Sequence, residues 1–326
     1  MPGFSILVAV YNAEQFLDQC LQSLLAQTFQ DWQAICIDDC STDSSWKLLQ
    51  RYAEQDSRFV VLRTSVNSGQ AVARNLGLSQ AAGEFTLMLD ADDFLAADAL
   101  QTLWEVHVRE PLCDAILFNL TRVWEDGTKK PWEWPDERRI LSGQEACLLS
   151  INWQIHGCFA YHTTLHKKYP YDTTFRVYSD DTTSRIHLLK SQKVALTEGV
   201  YYYRQHETSC THQFSMRLLD FMDANRLLCH RLEKENIGEK GLQIAEDMFW
   251  KNYVGIYREF YEHHRLFSKE EQNRIDQRFI AAMKEMHPKR ISSGIKKIPA
   301  YYLFSSYRMF SLWQRLLLGL RRICKH

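Results

Sequence analysis

The sequence predicts an α/β fold, a Rossmann-like and mostly parallel sheet flanked by helices, with a helical extension at the C-terminal end. Three observations lead to this prediction. Short apolar runs alternate with amphipathic helical runs in the first 95 residues, a pattern typical of strand–helix–strand units with parallel strands. Polar residues follow each apolar run, where the strands of such sheets end and ligands bind. From residue 215 to about residue 286 the pattern is helical and charged.

Four strands are predicted in the first 95 residues, namely FSILVAV, WQAICID, FVVLRT and EFTLMLD. The segments between them are predicted to be helical. In YNAEQFLDQCLQSLLAQTF the apolar residues recur at helical spacing, at Phe16, Leu17, Cys20, Leu21, Leu24 and Leu25. The other two predicted helices lie in WKLLQRYAEQ and NSGQAVARNLGLSQAAG.

Fewer elements are predicted after residue 95. DAILFNL, at 114–120, is a predicted strand, and TRVWEDGTKKPWEW is a predicted hairpin or excursion with Asp126 and Gly127 at its turn. YDTTFRVYSDDTTSRIHLLK is predicted to end a loop on its two acids and to enter a helix, and VALTEGVYYYRQH is a predicted late strand. Residues 142–168 have a mixed pattern from which no element is assigned.

The nine cysteines are scattered, odd in number and without CxxC spacing. This usage is typical of a reducing, cytosolic compartment. FSILVAV is too short for the apolar core of a signal peptide, and no run is long enough for a membrane-spanning helix. We therefore expect a cytoplasmic protein.

The charge is unevenly distributed. The formal net charge is −1, but residues 286–326 contain nine Lys and Arg and no Asp or Glu. In this tail Leu303, Phe310, Leu317 and Cys324 repeat every seven residues, and so do Arg308, Arg315 and Arg322 on another face. The pattern predicts an amphipathic helix on an anionic membrane surface, at the inner face of the cell membrane. The alternative is a terminal helix docked on the catalytic domain.

Three carboxylates, Asp90, Asp92 and Asp93, follow the fourth apolar run in LMLDADDFL. Carboxylates this close repel one another and resist burial, so we expect a cation among them. The alternative is an acidic helix N-terminus, which accounts for Asp93 alone. Neither GxGxxG nor a P-loop follows the first strand, which counts against dehydrogenases and P-loop enzymes. The remaining interpretation is a divalent metal that neutralises a diphosphate, and Mg²⁺ or Mn²⁺ prefers such oxygen ligands.

Four segments resemble the family 2 glycosyltransferases. They are SILVAVYNAEQFLDQCLQSLLAQTFQDWQAICIDDCSTDSS, NSGQAVARNLGLSQAAGEFTLMLDADD, YSDDTTSRIHLLK and VYYYRQHETS. The second resembles the segment that leads to the family's DXD motif, and the third resembles its later acidic motif. The resemblance covers about residues 4–225. Two positions depart from the family's pattern: Ala9 stands for the usual proline and Asp180 for the usual glutamate.

The resemblance implies the GT-A fold and assigns a role to each matching residue. The expected nucleotide-sugar ligands are Ala9, Val10, Tyr11, Asp39, Asn67, Gly69, Arg74, Asp90 and Ala91. Asp92 is expected to bind Mn²⁺ or Mg²⁺, and Asp181 is expected to be the catalytic base, with Asp180 as its rival. The alternative for Asp181 is a helix N-cap, since Asp-Thr-Thr before a helix is ordinary capping chemistry. Arg204 and His206 are candidates for contact with the acceptor or the diphosphate, with plain packing as the alternative.

The resemblance also implies an activity of the bacterial surface-polysaccharide type. An inverting hexosyl- or N-acetylhexosaminyltransferase is expected, with a nucleotide-sugar donor, by default a UDP-sugar, and a saccharide or lipid-linked acceptor. Residues 1–214 would form the catalytic domain, with a nucleotide-sugar half at 1–95 and an acceptor half at 96–214. Residues 215–286 would be a helical extension and residues 287–326 the basic tail.

Two other functions remain open. One is a catalytically inactive module that binds sugar nucleotides, against which intact Asp92 and Asp181 argue. The other is a metal-dependent nucleotidyl- or phosphotransferase, against which the lack of a basic residue in YNAE argues. No nucleic acid partner is expected.

Overall fold

The computed structural model describes residues 2–134, 137–175, 178–206, 216, 218–296 and 306–323. The chain divides into two compact units, Met1–Gln213 and Phe214–His326. The described part of the first unit contains a sheet and helices, and that of the second contains helices.

The first unit begins with the four strands predicted from the sequence. They are β1 (Phe4–Val10), β2 (Trp32–Asp38), β3 (Phe59–Arg63) and β4 (Phe85–Met88). The helices between them are α1 (Glu14–Leu25), α2 (Ser45–Gln55) and α3 (Gln70–Gln80). Neighbouring strands in the order β3-β2-β1-β4 are parallel, and Val10 of β1 is level with Asp38 of β2. Their carboxyl ends therefore meet at one edge of the sheet.

Helices cover both faces of this sheet. Ile6 and Val8 of β1 lie in one apolar cluster with Leu17 of α1, whereas Leu7 lies in another with Ala73 of α3. Successive side chains of a strand point to opposite faces, so β1 must be apolar on both sides. The continuous apolar runs of the sequence reflect this burial.

In the described part of the second half of this unit, the same sheet continues with strands of mixed direction and is accompanied by four helices. Its strands are β5 (Phe94–Leu95), β6 (Cys113–Trp124), β7 (Lys129–Pro131), β8 (Ile140–Ser142), β9 (Phe159–His162) and β10 (Lys193–Gln205). Its helices are α4 (Ala99–Arg109), α5 (Gly143–Ile151), α6 (Thr163–Lys168) and α7 (Ser179–Lys190). The predicted hairpin is confirmed, because β6 and β7 pair antiparallel around Gly127, whose φ is +83°.

The main order of strands is β3-β2-β1-β4-β9-β6-β10-β5. β6 and β10 are parallel, as β1 to β4 are, but β9 runs antiparallel to both of its neighbours. β9 is only FAYH and lies in the segment where no element was predicted. A run of four residues is too short for its periodicity to tell a strand from a helix.

The second unit contains the predicted helical extension. Its helices are α8 (Leu218–Lys234), α9 (Glu239–Glu262), α10 (Lys269–Glu285), α11 (Ser293–Lys296) and α12 (Tyr307–Ile323). α10 begins with a capping box, in which Ser268 and Glu271 satisfy each other's backbone N–H groups. The core of this unit combines aliphatic side chains with a group of aromatic ones, which includes Trp250, Tyr253, Tyr257, Phe260, Phe279 and Phe310.

The tail helix α12 packs against α9 and α10 within this unit. Phe310 is fully buried between Tyr253 and Tyr257, with ring centroids 5.2 and 5.1 Å away. The prediction that the line through Phe310 faces lipid is therefore wrong. Leu303 and Cys324 of that line, and the side chain of Arg322, lie outside what the structure describes. None of the helices within the described ranges is long and apolar enough to cross a membrane.

Candidate active site

The end of β1 lies beside the loop that follows β2. Ala9 and Val10 are the last residues of β1, and the ring of Tyr11 beyond them is exposed. Asn12 has a φ of +49°, which asparagine tolerates better than most residues, and its side-chain oxygen accepts from the N–H of Thr42 at 2.8 Å. This bond ties the two loops together and leaves Tyr11 at the edge of the sheet.

Asp39 holds the loop after β3. Its carboxylate accepts from the Thr64 hydroxyl at 2.8 Å and from the N–H groups of Ser68 at 2.9 Å and Gly69 at 2.7 Å. Gly69 has a φ of +91°, a conformation that favours glycine. Asn67 lies in the same loop. The structural role of Asp39 is clear, and its contact with a nucleotide base stays a prediction.

The three carboxylates that follow β4 form one cluster. Single carboxylate oxygens of Asp90, Asp92 and Asp93 all lie within 4.8 Å of one another. Asp93 is buried and accepts from the Tyr201 hydroxyl at 2.9 Å and from the N–H of Arg204 at 2.8 Å. Burial and the charges of Asp92 and Asp90 raise the pKa of Asp93 well above its usual range. Asp93 therefore joins the cluster to β10.

The alternative in which Asp93 opens a helix is wrong. The next helix, α4, begins at Ala99 and is preceded by Asp98, while residues 94–95 form β5. The acidic cluster is therefore not explained by helix capping.

Asp92 is one of two partly exposed members of the cluster. Its side chain is 34% exposed and that of Asp90 is 36% exposed, and Oδ2 of Asp92 lies 2.9 Å from Nε2 of His206. Accessible carboxylate oxygens suit a divalent cation that also takes phosphate oxygens. The donor set around Asp92 therefore fits Mn²⁺ or Mg²⁺, with Asp90, Asp93 and His206 as the neighbouring side chains.

Arg204 is held firmly beside Asp92. Its Nε donates to the Asp92 carbonyl at 2.7 Å, and its Nη2 donates to Oε1 of Gln19 at 2.6 Å. The guanidinium also lies over the rings of Phe16 and Phe94, 5.0 and 5.3 Å from their centroids. The structure thus brings both Arg204 and His206 to Asp92, while their contact with diphosphate or acceptor stays a prediction.

Arg74 links the acidic cluster to a second pair of acids. Its guanidinium is fully buried, donates to Asp90, and approaches Asp180 to 3.8 Å between Nη1 and Oδ2. It also lies over the ring of Tyr171. Ala91, the middle residue of the predicted motif, is buried as well. Direct contact of Arg74 with a diphosphate stays a prediction, but its position between Asp90 and Asp180 is a finding.

The second pair of acids occupies the first turn of α7. The helix begins at Ser179, and the residue before it, Tyr178, has a φ of +65° and makes no side-chain cap. Asp181 is therefore the third residue of the helix and not its N-cap, so the capping explanation for Asp181 is wrong. The helix dipole favours negative charge in this first turn, at Asp180 and Asp181 alike.

Asp181 has the properties of a general base. Its Oδ2 is buried and forms an ion pair with Nη1 of Arg185, 3.1 Å away and one turn along α7. Burial raises the pKa of Asp181 to about 6, Arg185 opposes this rise, and Asp180 adds to it. A carboxylate that titrates near neutrality is suited to take a proton from a hydroxyl.

Three residues of this site were not found from the sequence. The contact of Arg185 with Asp181 could have been predicted, because Arg185 follows Asp181 by four residues on a predicted helix. No sequence pattern predicts the contact of Tyr201 with Asp93 or that of Gln19 with Arg204, because both depend on how distant elements meet in the fold.

A family model for Glycosyl transferase family 2 matches residues 5–170. Two curated relatives match shorter segments. An uncharacterized glycosyltransferase of Haemophilus influenzae is 44% identical over 101 residues, which cover 31% of this chain and 40% of that protein. The poly(ribitol-phosphate) beta-glucosyltransferase of Bacillus spizizenii is 38% identical over 129 residues, covering 39% of this chain and 20% of that protein. The chain therefore spans less than half of either relative.

Two solved structures resemble the chain along most of its length. S. aureus TarS 1–349 in complex with UDP-GlcNAc has a TM-score of 0.74 at 18% identity, covering 99% of this chain and 92% of that one. The mannosyltransferase PcManGT from Pyrobaculum calidifontis, in complex with GDP-Man and Mn²⁺, has a TM-score of 0.56 at 14% identity, covering 97% and 85%. At these identities the likeness concerns the fold, and it confirms the predicted GT-A fold.

The family model spans about half of the chain, including β1 to β4, the acidic cluster that follows them, and β9. The chain belongs to glycosyl transferase family 2.

Proposed function

We propose that this chain is an inverting, metal-dependent glycosyltransferase that builds a bacterial cell-surface polysaccharide. The donor is a nucleotide-sugar, by default a UDP-sugar, and the acceptor is a saccharide or a lipid-linked saccharide. The observation that carries the proposal is the pairing of a partly exposed Asp92 with a buried Asp181 whose pKa is raised, joined through Asp90, Arg74 and Asp180. The UDP-GlcNAc bound to TarS and the name of the Bacillus spizizenii relative support the class of donor and product.

The donor would bind along the carboxyl edge of β1, β2 and β4, in the half formed by residues 1–95. The backbone at Ala9 and Val10, the ring of Tyr11 and the loop that Asp39 holds would enclose the nucleoside. Asp92, with His206 beside it, would hold Mn²⁺ or Mg²⁺. The cation supplies charge stabilisation for the leaving diphosphate.

The acceptor would bind in the half formed by residues 96–214, next to Asp181. The Asp181 carboxylate takes the proton of the attacking hydroxyl while the bond between sugar and diphosphate breaks. Its pKa of about 6 leaves it ionised at neutral pH, so that it can accept this proton. Attack from the face opposite the diphosphate inverts the configuration at the anomeric carbon.

A nucleotide-sugar panel with Mn²⁺ tests this proposal. The release of nucleoside diphosphate is measured for each donor, with and without acceptor saccharides, for the wild type and for Asp92→Ala. Nucleoside diphosphate release that the wild type shows and Asp92→Ala lacks supports a transferase. Binding of a donor without release would support the alternative, an inactive sugar-nucleotide-binding module.

We also infer that the tail contacts an anionic membrane surface, through a face other than the one predicted from the sequence. Met309, Leu312 and Leu316 of α12 are 46%, 58% and 54% exposed. Arg308 and Arg315 are exposed on the same side of the helix, and residues 286–326 contain no acid. Exposed apolar side chains flanked by arginines suit the headgroup region of anionic lipid. The chain would then act at the inner face of the cell membrane, where a lipid-linked acceptor is available.

Vesicle co-sedimentation of the full chain tests the tail. Leu312→Ser with Leu316→Ser should weaken binding to anionic vesicles and leave the helical core intact. Val108→Ser, at a side chain that is 65% exposed in the first unit, is the matched control. Equal sedimentation of all three proteins, or equal binding to neutral and anionic vesicles, would exclude this role.

A further inference from the structure

A cleft of about 510 Å³ lies on the first unit, between the β6–β7 hairpin and the loop that follows α5. Its lining is rich in tryptophan and contains two basic side chains. The residues that matter for its chemistry are Arg122, Lys130, Trp132, Glu133, Trp134 and Trp153. None of them belongs to the donor site described above.

Trp153 is held in a conformation that tryptophan rarely adopts. Its φ is +60°, just after α5, where a helix usually ends in glycine or asparagine. A bulky residue in the left-handed region costs free energy, and such strain is typical of functional sites. Core packing does not explain it, because 39% of the side chain is exposed. The position favours glycine, yet it presents an indole to the cleft.

The other two tryptophans are fixed by their contacts. Nε1 of Trp132 donates to the Gln154 carbonyl at 3.2 Å, and the rings of Trp132 and Trp134 pack on the buried ring of His156. The Arg122 guanidinium lies over Trp132, 4.7 Å from its centroid. The cleft thus presents preformed aromatic surfaces, which bind at a low entropic cost.

This cleft adjoins the candidate base. The guanidinium of Arg185 lies 5.1 Å from the ring centroid of Trp153, and its Nη1 lies 3.1 Å from Oδ2 of Asp181. One side chain therefore contacts both the wall of the cleft and the carboxylate that would activate the acceptor. The cleft and the candidate base are therefore neighbours, with Arg185 between them.

The charge of the cleft favours an anionic ligand. Within the described ranges neither Arg122 nor Lys130 forms an ion pair with a carboxylate, and Glu133 is the one acid among the residues that line the cleft. Arg122 and Lys130 therefore have donors left for a phosphate or a carboxylate group.

We propose that this cleft binds the acceptor glycan, an inference that rests on the glycosyltransferase function proposed above. Sugar rings stack on Trp132, Trp134 and Trp153, because the C–H face of a pyranose is apolar and weakly positive and meets the negative face of an indole. Lys130 and Arg122 hold an anionic group of the same glycan, either a phosphodiester or a uronate.

Direct binding to the full chain, with Mn²⁺ and UDP present, tests this assignment. Three probes of equal length are titrated: a polyol-phosphate oligosaccharide, a uronic acid oligosaccharide and a neutral oligosaccharide. We expect Trp153→Gly and Trp134→Ala each to weaken anionic probes about ten-fold. Lys130→Ala should weaken anionic probes and leave the neutral probe unchanged. The preferred anionic probe tells a phosphodiester acceptor from a uronate acceptor.

Trp153→Gly is a sharp test because glycine suits the backbone at this position, so the variant should fold at least as well as the wild type. The matched control is Asn236→Gly, which relieves another positive φ, of +56°, in the second unit. It should leave the binding of all probes unchanged.

The outcomes separate the two proposals. If the wild type releases diphosphate from a nucleotide-sugar but the tryptophan variants bind every probe as tightly as the wild type, the cleft is not the acceptor site. If no probe binds the wild type, the assignment is also wrong. If the probes bind as expected but no nucleotide-sugar is turned over, the cleft is a glycan site and the proposed transferase function fails.

Discussion

The two acidic clusters of the first unit differ in how their carboxylates are satisfied. In the cluster after β4 each carboxylate has a protein partner: Arg74 for Asp90, His206 for Asp92, and Tyr201 for Asp93. At the start of α7 Asp181 is more buried, with 16% of its side chain exposed, and its Oδ2 forms an ion pair with Nη1 of Arg185 at 3.1 Å. Two carboxylates of the first cluster are partly exposed, Asp90 at 36% and Asp92 at 34%, whereas burial raises the pKa of Asp181 to about 6. The exposed carboxylates suit a cation, and the raised pKa suits a general base.

The largest effect is expected at Asp92. Asp92→Ala removes a partly exposed carboxylate of the cluster, and loss of a metal contact worth several kcal/mol should reduce transfer about 10³-fold or more. The fold should be unaffected, because the residue follows the strand and is partly exposed. Transfer is measured over a range of Mn²⁺ concentrations, with Asp98→Asn, an exposed aspartate nearby, as the control. Full activity of Asp92→Ala in excess EDTA would show that transfer does not depend on a metal at Asp92.

Asp181→Asn tests the other cluster. We expect kcat to fall about 10²-fold or more while donor affinity changes little, because the base acts only when the hydroxyl attacks. Asp180→Asn should reduce kcat less, since Asp180 is placed near Arg74 rather than Arg185. The linkage of the product is assigned by NMR. Retention of the anomeric configuration, or near-normal turnover of Asp181→Asn, would contradict the assignment.

The pH dependence of kcat is a second test of Asp181 as the base. Because the pKa of Asp181 is raised to about 6 and a base acts when deprotonated, kcat should fall about ten-fold per pH unit below about pH 6. Arg185 holds this pKa down, so Arg185→Gln should move the acidic limb to higher pH. Arg139→Gln, at an exposed arginine of the same unit, should leave it in place. The rates are measured with saturating donor and Mn²⁺. A flat profile from pH 7.5 to 5 would exclude Asp181 as the titrating base.

The sequence was most informative where the pattern is local. β1 to β4 and the helices between them follow from periodicity within single segments, and the polar strand ends follow from parallel topology. Other features depend on contacts between distant segments. The spacing of residues along the sequence does not reveal that Asp39 holds the loop at Ser68, or that Phe310 points into the helical core. The φ of Trp153 could not be predicted either, because tryptophan is among the residues that would be expected least at that position.

The smallest effect concerns Arg74, the side chain that approaches both clusters. If Arg74 couples them, the double mutant of Arg74→Lys and Asp180→Asn should differ from the sum of the single variants by about 1 kcal/mol in the free energy of unfolding. Lysine keeps a positive charge beside Asp90 but has no counterpart of the Arg74 nitrogen Nη1, which lies 3.8 Å from Oδ2 of Asp180. The control cycle uses Arg51→Lys and Asp18→Asn, an ion pair at 3.1 Å whose side chains are both 56% exposed. Solvent weakens that pair, so its coupling should stay below about 0.5 kcal/mol.

Urea unfolding of the four proteins in each cycle gives these values. A clear coupling for Arg74 and Asp180 means that a change at the metal edge reaches the first turn of α7 through a buried charge. A coupling no larger than that of the exposed pair would mean that Arg74 serves Asp90 alone. The base would then depend on Arg185 and on the substrate hydroxyl, and the two clusters would be independent in structure as well as in chemistry.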